Sequence, residues 1–317
     1  MSKLILRRLA LGVLTLWLVS LVVYAAVLAL PGDAATAILG KEATPDRVAA
    51  LRDQLNLNDS VVSQYLQWIG GVLSGSFGES AATQQAVSAL LSDRVANTAF
   101  LVFVAAVVAI PLSIALGVWM AMRRDRAVDH VASTTTLVLA ALPEFVIGIG
   151  LILLFATSVF QWFPAVSILP PGEKAWQQPD VVVLPAATLV LAVAPYISRI
   201  MRGSMIEVLE SEYMTMARLK GLPERTVIWR HAVPNAIVPA IQVAALQLAW
   251  MAGGVVVVEY VFSYPGIGAA LVDAVANRDM PVVQTVTMLA AAVYVLMNLV
   301  ADVATILVTP KLRTAPR

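Results

Sequence analysis

Six stretches of this 317-residue chain are each long and apolar enough to cross a lipid bilayer, and nothing else in the sequence constrains the fold as tightly. A hydrocarbon core about 30 Å thick takes roughly 20 apolar residues of helix. The stretches are Leu9–Leu30, Thr98–Met122, Thr134–Phe160, Val181–Ile200, Ala236–Val258 and Val283–Val308. The expected fold is therefore an all-α integral membrane protein with six transmembrane helices. With 60% of residues hydrophobic and 13% charged, against about 25% charged in soluble domains, a water-soluble enzyme is excluded. So is a nucleic-acid binder with a basic face, since the formal net charge is +1. The first stretch follows Lys3, Arg7 and Arg8 in the manner of a signal peptide. It is longer than the roughly 7–15 residues of a signal h-region, so an uncleaved span is expected and a cleaved signal is the alternative.

Orientation follows from the distribution of Lys and Arg. With the N-terminus cytoplasmic, residues 1–8, 123–132, 199–235 and 309–317 are inside and carry fifteen of the 21 basic residues. The outer loops 161–180 and 259–282 carry only Lys174 and Arg278. Both termini are expected inside, with cytoplasmic residues at 1–8 and a cytoplasmic tail at 309–317.

Two loops are too long and too patterned to be plain connectors. The outer one, 31–97, opens with Pro31-Gly32-Asp33, a helix stop. Thr44-Pro45 then reads as an N-cap and N1 proline, with Val48, Leu51 and Leu55 on one helical face. From Ser60 a second amphipathic stretch places Val61, Tyr65, Trp68, Ile69 and Val72 at helical spacing. It reads either as an interfacial helix packed on the bundle or as a docking surface, with Tyr65 and Trp68 as the candidate contacts.

The inner loop, Arg199 to Asn235, has a helix over Ser204–Lys220 with Gly221 as its C′ residue. A short helix follows, opened by Pro223 and closed at Pro234. Met205, Val208, Leu209, Met216 and Leu219 form an apolar edge beside Glu207, Glu210, Glu212, Arg218 and Lys220. The residues alone leave a docking element and a solvated loop equally open.

Within the last span, Thr287, Ala291, Tyr294, Asn298, Asp302 and Thr305 fall on one helical face. Polar groups at membrane depth face protein or water, so this face is either a seam between helices or a water-lined path. Glu144 and Glu259 are expected to reach an interface. Pro111, Pro143, Pro185, Pro195 and Pro239 interrupt five helical segments, and Ala252-Gly253-Gly254 admits a close neighbour. Broken helices are tolerable around a cavity.

Catalytic signatures are missing. There is no Gly-x-x-x-x-Gly-Lys-Ser/Thr phosphate loop, no His-Glu-x-x-His and no Gly-x-Ser-x-Gly, and the chain has no Cys. His130 and His231 are the only histidines, both read as solvated rather than metal-bound. No catalytic residue, cofactor or metal is expected on this chain.

Three segments carry a resemblance. Glu212-Tyr-Met-Thr-Met-Ala-Arg-Leu-Lys-Gly221-Leu-Pro-Glu-Arg, continued by Trp229-Arg-His-Ala-Val-Pro-Asn235-Ala-Ile-Val-Pro239, is similar to the EAA loop of the inner-membrane permease subunits of peptide and nickel ABC importers. Gln64-Tyr-Leu-Gln-Trp-Ile-Gly-Gly71 with Gly75-Ser-Phe-Gly78 is similar to the N-terminal signature of that family's dipeptide/oligopeptide B-type subunits. So is Glu259-Tyr-Val-Phe-Ser-Tyr-Pro-Gly266-Ile-Gly268, running on to Asn277-Arg-Asp-Met-Pro281-Val-Val-Gln284. Asn298 and Asp302 also match. The resemblance spans nearly the whole chain. It departs from the general motif at Thr215 and Met216, so that Ala217 and Gly221 alone survive of its core, and at Leu219 and Glu144.

The resemblance implies a permease core over 98–308 with a coupling loop at 204–239. A homologous second permease would share the pathway, and two cytoplasmic ABC ATPase subunits, which hold ATP and Mg, would dock on Glu212, Tyr213, Ala217, Arg218, Lys220, Gly221 and Arg225. An extracytoplasmic solute-binding protein would deliver cargo to the loop at 31–97, and Tyr294, Asn298 and Asp302 would line the path or the permease interface. Short peptides are the expected cargo, with nickel chelates, glutathione or haem as alternatives. From other classes, the alternatives are an ion-driven secondary transporter using Asp302 and Glu144, and an assembly subunit with no pathway.

Overall fold

The computed structural model describes residues 2–29, 39, 43–54, 58–170 and 172–308. Among the described residues the chain is helical, with one isolated bridge between Glu79 and Ala86. The helix stop at Pro31-Gly32-Asp33, Leu55 and the tail 309–317 lie outside the described residues, as do the side chains of Leu51, Ala252, Gly254 and Thr305.

In chain order, α1 spans Ser2–Ala29, α2 Pro45–Gln54, α3 Val61–Ser74, α4 Val87–Met122 and α5 Ala127–Ala141. α6 is Glu144–Ile152, prolonged by a π-helical turn at Leu153–Thr157. α7 spans Asp180–Leu209, α8 Glu212–Leu219, α9 Val233–Val261, α10 Ile267–Ala276 and α11 Met280–Val308. Among the described residues five helices are long and apolar enough to cross a membrane; α5 and α6 make a sixth if their bent pair counts as one span.

Helix α7 is the axle. Sixteen of its residues are buried, and α4, α5, α6 and α9 pack around it. Where α4 crosses it, a Cβ on Gly117 would lie 2.6 Å from the Ser198 carbonyl oxygen, so glycine sets how closely the two backbones approach. α1 lies outside this core against α11, and most of its apolar surface is exposed.

The structure redraws four sequence expectations. The span expected as one helix over Thr134–Phe160 is two helices meeting at 107°. The bend falls at Leu142-Pro143, where the ring removes a donor and turns the preceding residue extended, with Leu142 at φ −82° and ψ 133°. Prolines 111, 185, 195 and 239, by contrast, lie inside continuous helices. At Pro185 the compensation is visible. The missing N–H would leave the Val181 carbonyl without a donor, and the buried Ser167 hydroxyl donates to that oxygen at 2.6 Å.

The second difference is at the outer loop, whose last eleven residues belong to α4, a helix of 36 residues, about 54 Å long. Third, the helix expected over Ser204–Lys220 is divided. α7 runs unbroken through Leu209, the chain turns at Glu210-Ser211, and α8 occupies only Glu212–Leu219. Fourth, Pro234 does not close a short helix. Glu224–Thr226 leads into a π-helical segment, Val227–Ala232, and this continues into α9. Widening the turn ahead of Pro234 lets the helix absorb a residue that cannot donate.

Candidate functional site

Most of the features singled out in the sequence lie at one or other end of the bundle. At the end where α7 stops, α8 is held by Met214, whose side chain is completely buried, and by Arg218. The Arg218 guanidinium donates to both Glu224 carboxylate oxygens, at 3.2 and 2.9 Å, and reaches the Leu209 carbonyl at 3.4 Å. The hydrogen bond to Glu224 raises the Arg218 pKa above its ordinary value. Arg218 therefore braces the turn between α7 and α9 rather than projecting freely.

Gly221 has φ +75° with open space around it. It is the left-handed C′ residue that its position after α8 called for, and any side chain there is strained by the backbone rather than by a neighbour. Glu212, Tyr213, Lys220 and Arg225 are exposed, and Ala217 is half-buried. Met216 is 60% exposed and Leu219 76%, so the apolar edge read from the sequence divides. Met205 belongs to the core, while Tyr213, Met216, Leu219, Leu222 and Trp229 stay uncovered.

The same end is tied to the core by a bidentate ion pair that sequence reasoning missed. Arg202 on α7 donates to Asp129 on α5 at 2.7 and 2.6 Å, and Asp129 is fully buried. Arg124 and Glu210 form a second pair nearby. A charge adjacent to His130 carried no periodic signal that would have marked Asp129.

At the opposite end, the buried polar side chains are used up internally. Glu259 is not at an interface, as the sequence suggested, but wholly buried. It accepts the Thr98 hydroxyl at 2.5 Å and the Gly268 and Ala269 amides at 2.7 and 3.3 Å, while Thr98 also receives the Ile267 amide at 2.9 Å. The otherwise orphaned N–H groups of the first turn of α10 are thus satisfied by a carboxylate and a hydroxyl from two other helices. A Cβ at Gly266 would lie 2.0 Å from Glu259, and one at Gly268 would meet the Val256 backbone at 2.4 Å. Asn97 bonds the Pro265 carbonyl and the Ala175 amide, and its own carbonyl accepts the Tyr264 hydroxyl.

Asp279 does comparable work next door. It accepts from the Ser80 hydroxyl and from the Ala81 and Ala82 amides, pinning the segment before α4 onto the start of α11.

Tyr65 and Trp68 face α1. The Tyr65 hydroxyl bonds Ser20 at 2.7 Å, and both rings pack around Tyr24 with centroids 5.4 and 5.6 Å away. α3 thereby packs on the bundle, and its uncovered large apolar residues are Val61, Val62, Leu66 and Leu73.

On α11 the polar face is dispersed. Asp302 pairs with Arg8 of α1 at 3.2 Å, Asn298 donates to its own helix at the Tyr294 carbonyl, and Tyr294 is half exposed. A seam between α1 and α11 is what the Asp302 contact makes. Glu144 finds a local explanation: it opens α6, where the helix dipole favours a carboxylate. Among the described residues no cluster of three or more His, Asp or Glu is placed to hold a metal.

Comparisons with known proteins place the chain in a family. The family described as "Binding-protein-dependent transport system inner membrane component" matches residues 113–314, and its N-terminal component matches residues 1–102. The chain is 37% identical over 315 residues to the probable peptide ABC transporter permease protein y4tP of Sinorhizobium fredii, covering 99% of this chain and all of that one. It is 35% identical over 313 residues to the glutathione transport system permease protein GsiC of Salmonella choleraesuis, and 34% to that of Escherichia coli K12, with 99% of each chain covered. A multi-pass helical chain with these motifs, matched from end to end, belongs to the inner-membrane permease family of binding-protein-dependent ABC importers.

Proposed function

We propose that this permease moves short peptides, glutathione among them, through a pathway shared with a homologous permease, driven by two ATPase subunits that hold ATP and Mg and dock on α8. The termini and α8 lie on the cytoplasmic side, and a solute-binding protein delivers cargo at the opposite end.

The observation that carries the reading is the uncovered apolar surface around α8. Tyr213, Met216 and Leu219 follow each other at three-residue steps on a helix anchored by Met214, with Leu222 and Trp229 beside them. Burying each such side chain contributes roughly 1.5–3 kcal/mol, so a soluble partner that covers them binds with useful strength. α8 is linked to α7 by only two residues, and to α9 by the Arg218–Glu224 pair and the π-helical segment. Pressure on α8 is thus passed to the two central helices as a rigid displacement. The peptide class rests on the names of the relatives. The matching EAA-type segment and the opposed, polar far end support the assignment of sides.

Affinity purification of the full chain from its host in mild detergent tests the reading. Two ATP-binding subunits and a second permease are expected to accompany the wild type, and ATP-dependent peptide uptake is expected after reconstitution with the binding protein. Uptake by the chain alone, collapsed by an ionophore, would establish an ion-driven transporter instead.

A further inference from the structure

A cavity of ≈740 Å³ opens beside the second half of α7, some ten residues before α8, lined by Ser133 and Thr134 of α5, Tyr196, Arg199 and Arg202 of α7, and Val243 of α9. Its two arginines differ in kind. Arg202 is neutralised by the bidentate contact with Asp129. Among the described residues no carboxylate pairs with Arg199, although it lies only three residues earlier on the same helix. Tyr196 donates its hydroxyl hydrogen to the Ala140 carbonyl at 3.1 Å, leaving the phenol oxygen free to accept. The Thr134 hydroxyl is exposed, and the Ser133 hydroxyl lies 3.5 Å from Asp129.

We propose that this cavity is a carboxylate-binding station for cargo at the cytoplasmic end of the pathway, with Arg199 as its cationic centre and Thr134 and Tyr196 as its neutral donor and acceptor. The proposal rests on the permease reading above. α7 is otherwise the most buried helix of the bundle, and Tyr196, Arg199, Ile200, Gly203 and Glu207 form the exposed stripe on its inner half. In a paired permease the uncovered side of the central helix is the side that meets the pathway. A planar guanidinium without an internal counter-ion suits a carboxylate, and every unblocked peptide ends in one. A neutral hydroxyl and a phenol oxygen beside it match amide groups. The open mouth and the single unpaired charge make for weak retention, which an exit station requires, since cargo must enter and also leave.

The absence of Cys from the chain gives a clean probe, because Leu137→Cys, at an exposed position that also lines the cavity and has no part in holding the carboxylate, introduces its only thiol. The full chain, in nanodiscs with its co-purifying subunits and no ATP, is treated with anionic and cationic methanethiosulfonates, and modification is read on this chain. The anionic reagent is expected to react faster. Fields focused in a cleft change such rates by about tenfold or more, so Arg199→Gln should lower the anionic-to-cationic rate ratio by about tenfold, while Arg199→Lys preserves it. Millimolar alanyl-phenylalanine should slow the anionic reaction and its C-terminal amide should not, with the protection lost in Arg199→Gln. A neutral reagent reacting equally with both variants shows that the fold is intact.

An unchanged ratio in Arg199→Gln, or no protection by the free acid, overturns the proposal. Protection that follows the phosphatidylglycerol content of the disc instead of the peptide reassigns Arg199 to a lipid headgroup and overturns it equally. Because labelling needs neither transport nor ATPase, its failure is distinct from failure of the docking reading, which is judged by the subunits that co-purify.

Discussion

The two ends of the bundle treat their polar and apolar groups in opposite ways. At the end near α10, Glu259, Asp279, Asn97 and Thr98 are buried and fully engaged, each holding amides or hydroxyls from another part of the chain. At the α8 end, charged groups brace the turn while five large apolar side chains remain in the open. At the first end the buried hydrogen-bonding groups are satisfied within one chain, although α3 leaves Val61, Val62, Leu66 and Leu73 uncovered there. At the second, Arg218 and Glu224 satisfy each other while the apolar side chains around them stay uncovered. Apolar side chains left in water gain roughly 1.5–3 kcal/mol each when they are covered, and the proposed docking of ATPase subunits on α8 draws on that gain.

The comparison is broken most completely by Gly221→Asp. The left-handed backbone at that residue disfavours any side chain by roughly 1–2 kcal/mol. Uptake driven by ATP should be abolished while membrane insertion stays normal, and wild-type uptake at equal expression would remove the α8 turn from the mechanism. The double variant Met216→Ser/Leu219→Ser sharpens the contrast. Its thermal stability in detergent should stay within about 0.5 kcal/mol of wild type, as for surface changes, yet ATPase subunits should no longer co-purify.

At the other end the pattern reverses. Glu259→Leu leaves the Gly268 and Ala269 amides and the Thr98 hydroxyl without their acceptor and should destabilise the chain by about 3 kcal/mol, read as a lowered melting temperature of the isolated permease. Equal stability would show that α10 does not depend on its cap. Asp129→Asn, which breaks the bidentate contact with a partly exposed Arg202, should cost about 2 kcal/mol, with discount for solvent at the guanidinium. The smallest effect belongs to Arg8→Gln. Its side chain is 53% exposed, so losing the pair with Asp302 should change stability by only about 0.5 kcal/mol. A loss several times larger would mean that α1 is anchored by this pair rather than by apolar contact.

The legibility of these features in the sequence follows how local their causes are. Tyr65 and Trp68 were recognisable as an amphipathic face, but the periodicity did not say that Tyr24 and Ser20 would cover it. The prolines looked alike in the sequence. Only Pro143 breaks its helix sharply, and Pro185 is rescued by a serine eighteen positions earlier in the chain. Glu259 and Asp302 could both be identified as charges near membrane depth, and neither could be assigned a partner. Met205 and Met216 sat on one notional edge until the turn at Glu210-Ser211 sent them to different surroundings.

By itself the sequence determined the membrane-spanning class, the apolar spans to within a turn or so at most ends, the concentration of basic residues around α8, and the left-handed glycine after it. Those depend on hydropathy, charge and backbone chemistry within a few residues. Only the tertiary structure decided where the carboxylates go, because Thr98 meets Glu259 across 161 residues and Ser80 meets Asp279 across 199. It also decided which arginine of the Arg199–Arg202 pair is neutralised, since that turns on the side of α7 to which α5 packs, and no local pattern encodes it.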